Sequence, residues 1–126
     1  MAPERDAETQ KRLLLTAGVI FAVAWALRLV YVFHLRGSPL ADFPVLDELY
    51  HVEWARALAA GDWMGSTVFF RAPLYPYLLG IVFSVFGESL QAARLVQATC
   101  ASLTPVAIYF LGRRMFGERE ALLGSA

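Results

Sequence analysis

Cysteine and lysine are nearly absent from this sequence: Cys100 and Lys11 are the only ones in 126 residues. A lone cysteine excludes an intrachain disulfide and a cysteine metal cluster, and Cys100, set in an apolar stretch, reads as a small buried hydrophobe. A surplus of either charge is missing too. Eleven basic and eleven acidic residues cancel to a formal net charge of zero, so no overall field draws nucleic acid or an acidic partner. Apart from the neighbours Arg113 and Arg114 the arginines are scattered singly, unlike a basic nucleic-acid tail. What the chain has in quantity is apolar mass. Hydrophobic residues make up 58% and mean hydropathy is +0.51, against roughly 45–50% apolar residues in soluble domains. The excess falls in blocks, which predicts an all-α integral membrane protein.

Residues 1–12 are polar, lack apolar periodicity and read as a short flexible tail. Leu13 to Leu35 (LLLTAGVIFAVAWALRLVYVFHL) has about the length needed to cross a hydrocarbon core of roughly 30 Å, interrupted only by Arg28 and His34. It exceeds the roughly 7–15 apolar residues of a secretory signal, so it is expected to stay as an anchor, with Arg28 snorkelling or pairing inside the membrane. Residues 36–69 form a polar to mixed loop, in which DELYHVEWARALAA predicts a short amphipathic helix at the membrane surface. A second crossing is expected over about 70–87, opened by Pro73 and Pro76, and a third over about 92–112, with Pro105 in its middle. Three crossings place the termini on opposite sides, but basic residues flank both ends, and the positive-inside rule leaves the orientation open. The chain stops at REALLGSA, where a new run of small and apolar residues begins, and this predicts a partial chain.

The stretch PVLDELYHVEW (44–54) is the chemically richest. At about 100° per residue, Asp47, Tyr50, His51 and Trp54 share one side of the predicted helix, while Leu49, Val52, Ala55 and Ala59 share the other. On this count Arg56 falls on the apolar side, as a snorkelling charge, and Leu58 among the polar residues. Glu48 projects nearer the apolar face, so Asp47 is the better candidate for chemistry. A carboxylate beside tyrosine, histidine and tryptophan offers an acceptor for a hydroxyl proton, hydrogen-bonding partners and an aromatic surface, which is what sugar chemistry requires. The plainer reading is that Asp47 caps the helix, Glu48 favours its first turn, and Tyr50 and Trp54 are interface anchors. Arg71, just before the Pro73 helix start, opposes the positive helix end, and a lipid phosphate would compensate it. His51 has no partner at i+4 and no nearby cysteine, so no standalone metal site is expected. Arg28 and Arg94 are the only charges near mid-crossing, too few for a transport pore.

The order LDELYHVEWARALAAGDW, FFRAPLYPYLLGIVFSVFGESLQAARLVQ and YFLGRRMFG resembles the amino-terminal part of GT-C membrane glycosyltransferases. The resemblance is to the bacterial branch related to dolichyl-phosphate-mannose protein mannosyltransferases and the lipid A aminoarabinose transferase, and it covers nearly all of the chain after residue 12. It implies transfer of a hexosyl or pentosyl group, with inversion, from a polyprenyl-phosphate donor to a hydroxyl acceptor on protein, lipid or glycan, outside the bacterial plasma membrane. It also implies catalytic residues Asp47 and Glu48, a donor-phosphate contact at Arg71, a cytoplasmic amino terminus, and no cofactor beyond a divalent metal that Glu48 could support. Tyr50, His51 and Trp54 would line the sugar site. Related enzymes often carry a basic residue shortly after the acidic pair, where this chain has Tyr50 and His51. They also have about ten or more crossings, so three helices alone are expected to be inactive. The alternative is a non-catalytic three-helix membrane protein, an assembly partner or degenerate remnant.

Overall fold

A computed structural model describes residues 2–36, 38, 46–64 and 72–125, with backbone only for residues 2–6, and every regular element among them is a helix. In chain order these are α1 (Ala2–Leu35), α2 (Asp47–Ala59), α3 (Leu74–Phe86), α4 (Leu90–Ala101), α5 (Leu103–Met115) and α6 (Glu118–Ser125). They fall into two compact units, Val32–Gln97, and Met1–Tyr31 with Ala98–Ala126.

In the second of these units α1 is apolar around its circumference. Leu14, Leu15, Val19, Val23, Leu27 and Val30 are all exposed, a surface that water would not tolerate and that lipid tails would solvate. Helix α1 begins at Ala2, so the flexible tail expected over residues 1–12 is replaced by helix. Its residues are good helix formers, Glu8 lies 3.8 Å from Arg12 one turn on, and Thr16 Oγ1 donates to Arg12 O. Arg28 turns back on its own helix and donates to Ala24 O at 3.0 Å, so the guanidinium is partly satisfied without leaving the apolar segment. Trp25 Nε1 donates to Thr99 Oγ1 at 3.0 Å. Cys100 is exposed, not buried as its apolar setting suggested; in a lipid-facing helix an apolar residue needs no protein cover.

The crossing expected over 92–112 is a helix pair. Pro105 has no N–H for the carbonyl four residues back, and its ring crowds that carbonyl. The chain turns at Ser102, whose hydroxyl donates to Ala98 O at 2.7 Å and whose N–H is shared between Ala98 O and Thr99 O. Together α4 and α5 cover Leu90–Met115, which with α1 makes two stretches long and apolar enough to cross a membrane. The shorter α3, at 13 residues, spans about 20 Å, less than a hydrocarbon core. Helices α5 and α6 meet where Gly112 faces Ala121: a Cβ on Gly112 would lie 3.1 Å from Ala121 Cα. Gly112→Leu is therefore expected to separate α6 from α5 and to expose the bond after Arg119 to trypsin; an unchanged digestion rate would show that the two helices are not held by this approach.

Candidate functional site

The unit Val32–Gln97 is built on a helical hairpin, α2 packed against α3. Its core is Val52, Ala55, Leu79, Phe83 and Ala93, and Leu58 is also fully buried. The hairpin corrects the expected faces of α2. Leu58 is 1% exposed although helical counting put it with the polar residues, and Leu49 is 38% exposed although it was placed on the apolar side. The covering partner is a helix approaching from one direction rather than a flat bilayer, so the buried stripe is 52, 55 and 58. Gly80 allows the approach: a Cβ there would sit 2.8 Å from Leu58 Cβ and 3.4 Å from Ala55 O. Arg56 does not snorkel but donates from Nε to Glu88 at 2.8 Å. Arg94, weighed as a pore residue, lies 3.8 Å from Glu48.

Helix α2 starts at Asp47. The residue before it, Leu46, has a positive φ of 50° and makes no side-chain cap, a backbone conformation that costs a branched residue of order 1–3 kcal/mol. Asp47 is thus the first helical residue and not the cap, and with Glu48 it places negative charge in the first turn, where the helix dipole favours it. Asp47 and Glu48 are both exposed.

One turn on, the helical spacing gathers Tyr50, His51 and Trp54, and α3 extends the group. Tyr50 packs edge-on against His51 and Trp54 at 5.6 and 5.9 Å between ring centroids, His51 against Tyr75 at 5.1 Å, and Trp54 against Tyr77 at 6.1 Å. Trp63, in the segment after α2, continues the row at 6.0 Å from Tyr77. Two tyrosine hydroxyls are used internally: Tyr77 Oη donates to Trp63 O at 2.6 Å, and Gln97 Nε2 donates to Tyr75 Oη at 2.7 Å. An aromatic residue that only anchors a protein at a bilayer surface turns its polar tip to water and headgroups. Here the tips are tied down, so the rings form a fixed wall with Trp63 and Tyr75 partly open at its ends. His51 Nδ1 is buried with no hydrogen-bond partner, leaving one ring nitrogen inside the wall for a further contact.

The structure therefore brings together Tyr50, His51 and Trp54 and sets Asp47 and Glu48 one turn before them. Arg71 lies outside the described residues. Sequence reasoning gave no site role to Trp63, Tyr75, Tyr77 or Gln97; the signal was present as aromatic residues flanking both ends of the α2–α3 connection. Among the described residues no three His, Cys, Asp or Glu side chains converge on a point that could hold a metal ion. The carboxylate pair alone does not make a divalent-metal site.

Exposed apolar α1 and two stretches of spanning length mark a membrane protein, and the helical hairpin gives it a polar–aromatic wall. Residues 70–126 match the family described as dolichyl-phosphate-mannose-protein mannosyltransferase. The match supports the resemblance to GT-C membrane glycosyltransferases and points to glycosyl transfer. It takes in α3 to α6 and Arg71, while α2 with Asp47 precedes it. No curated protein and no solved structure matches the chain.

Proposed function

We propose that this chain carries part of the active site of a glycosyltransferase that moves a sugar from a polyprenyl-phosphate donor to a hydroxyl acceptor, on the outer side of the plasma membrane. The observation that carries the reading is the fixed row of Tyr50, His51, Trp54, Tyr75 and Tyr77 beside a helix-start carboxylate, in a chain whose residues 70–126 match a mannosyltransferase family. In the reaction Asp47 accepts the proton of the acceptor hydroxyl, whose oxygen bonds to the anomeric carbon as the bond from that carbon to the phosphate oxygen breaks. The phosphate leaves with the electron pair, its charge met by Arg71, and a single displacement inverts the anomeric centre. Glu48, held toward Arg94, orients the first turn of α2. The ring faces of the wall take the apolar face of the sugar, and His51 Nδ1 meets a hydroxyl.

In this arrangement α2 lies at the outer membrane surface, the amino terminus is cytoplasmic, and α1 and the α4–α5 pair make the crossings, a reading supported by Arg113 at the end of α5 lying in one hollow with Leu13 at the start of the apolar run of α1. The donor class is tested by supplying membranes that contain the whole glycosyltransferase of which this chain forms part with labelled sugar on polyprenyl phosphate or on a nucleoside diphosphate. Transfer is expected from the lipid donor alone. Equal transfer from the nucleotide donor would overturn the reading, because that leaving group is delivered from water and needs no membrane-surface arginine.

A further inference from the structure

In the unit formed by Met1–Tyr31 and Ala98–Ala126, a hollow of about 410 Å³ is lined by Glu8, Thr9, Arg12, Leu13, Arg113 and Glu118. Its position follows from the sequence. Leu13 opens the apolar run of α1 and Arg113 follows the apolar part of α5, so the lining gathers at one edge of the apolar layer, with lipid-facing helix on one side and charge on the other. Arg113 is the unusual member. Its Nη1 is buried and has no hydrogen-bond partner, and a guanidinium nitrogen removed from water without an acceptor is costly unless an anion reaches it. Arg12 is differently placed: it is largely exposed and faces Glu8 at 3.8 Å.

We propose that this hollow is a binding site for the headgroup of a zwitterionic, amine-bearing phospholipid. The phosphate lies on the Arg113 guanidinium, whose planar fork suits two phosphate oxygens. The ammonium lies against the carboxylates of Glu118 and Glu8. The charge balance selects this occupant. Two guanidinium and two carboxylate groups make a neutral lining in which Arg12 already faces Glu8, so a purely anionic headgroup would satisfy Arg113 only by standing next to the carboxylate of Glu118. A phosphate and an ammonium a few ångströms apart match both signs. A bilayer supplies such headgroups at high local concentration at the depth where the apolar runs end, and their acyl chains can lie along the exposed leucines and valines of α1. The site is independent of the sugar-transfer reading and shares no residue with it.

The test uses the 126-residue chain, delipidated in micelles and titrated with phosphatidylethanolamine, phosphatidylglycerol or phosphatidylcholine, with retained lipid counted by native mass spectrometry. Free phosphoethanolamine and inorganic phosphate serve as headgroup-only probes. The expected result is preferential retention of phosphatidylethanolamine. Arg113→Gln should weaken it about tenfold, the effect of losing one charge-assisted hydrogen-bonded contact. Glu118→Gln should leave lipid retention but erase the preference over phosphatidylglycerol, and Val85→Ala, an exposed apolar residue of α3 that does not line the hollow, should change neither. Equal or better retention of phosphatidylglycerol, unchanged binding in Arg113→Gln, or inorganic phosphate binding as well as phosphoethanolamine would each overturn the proposal. If Arg113→Gln loses helix content, Arg113→Lys and Glu118→Gln carry the same comparison.

Discussion

Replacing Asp47 with asparagine is expected to lower sugar transfer by about 100- to 10,000-fold, the range over which a positioned general base contributes, with the loss in kcat and little change in KM for the donor. The substitution keeps the size and the hydrogen-bonding reach of the side chain but removes the group that takes the proton. Asp47 is exposed in the first turn of α2, so the variant should fold: its circular dichroism and its insertion into membranes should equal those of the parent. Glu48→Gln should be milder, because it mainly weakens a long contact with Arg94, and a partly exposed ion pair is worth about 0–1 kcal/mol. Asp47→Asn with transfer intact would remove Asp47 from the chemistry, whatever the remainder of the site does.

The second large effect concerns the hairpin. Gly80→Val is expected to lower the thermal unfolding midpoint of the protein in micelles and to quench the sugar-transfer activity with it. Even the first carbon of the new side chain would meet Leu58 Cβ at 2.8 Å, well inside contact distance, and overpacking a tight helix interface costs about 1–3 kcal/mol or more. Leu58 is 1% exposed and cannot swing into open space. Because the clash is with Leu58 Cβ, the pair Gly80→Ala and Leu58→Gly, which removes that carbon, should be less destabilising together than the sum of the two alone. Strict additivity of the two midpoint shifts would show that α2 and α3 do not meet at this point.

Helical periodicity made part of the site legible in advance. Asp47, Tyr50, His51 and Trp54 are spaced at three and four residues, and the helix begins at Asp47 as the residue types suggested. What periodicity cannot supply is the identity and direction of the neighbour. Leu58 falls among the polar residues by helical counting because residue types alone do not say from which direction α3 approaches; the ion pair of Arg56 with Glu88, 32 residues apart, is hidden for the same reason. The turn at Ser102 shows the opposite situation. Pro105 was plain in the sequence, but a run of spanning hydropathy looks continuous even when one imino acid divides it into two helices. The charged start of α1 was read as a tail because tails and solvated helices have similar compositions, and only pairs such as Glu8 and Arg12 distinguish them.

The internal use of Tyr75 Oη and Tyr77 Oη has a bearing on selectivity. Phenols already committed to Gln97 and to the Trp63 carbonyl are poor judges of which hydroxyl of a visiting ring is axial or equatorial, and apart from His51 Nδ1 what these rings offer is carbon. A surface of that kind sorts visitors by the breadth and flatness of their hydrocarbon side, and it would admit several epimers of one hexose while turning away a ring whose substituents crowd that side.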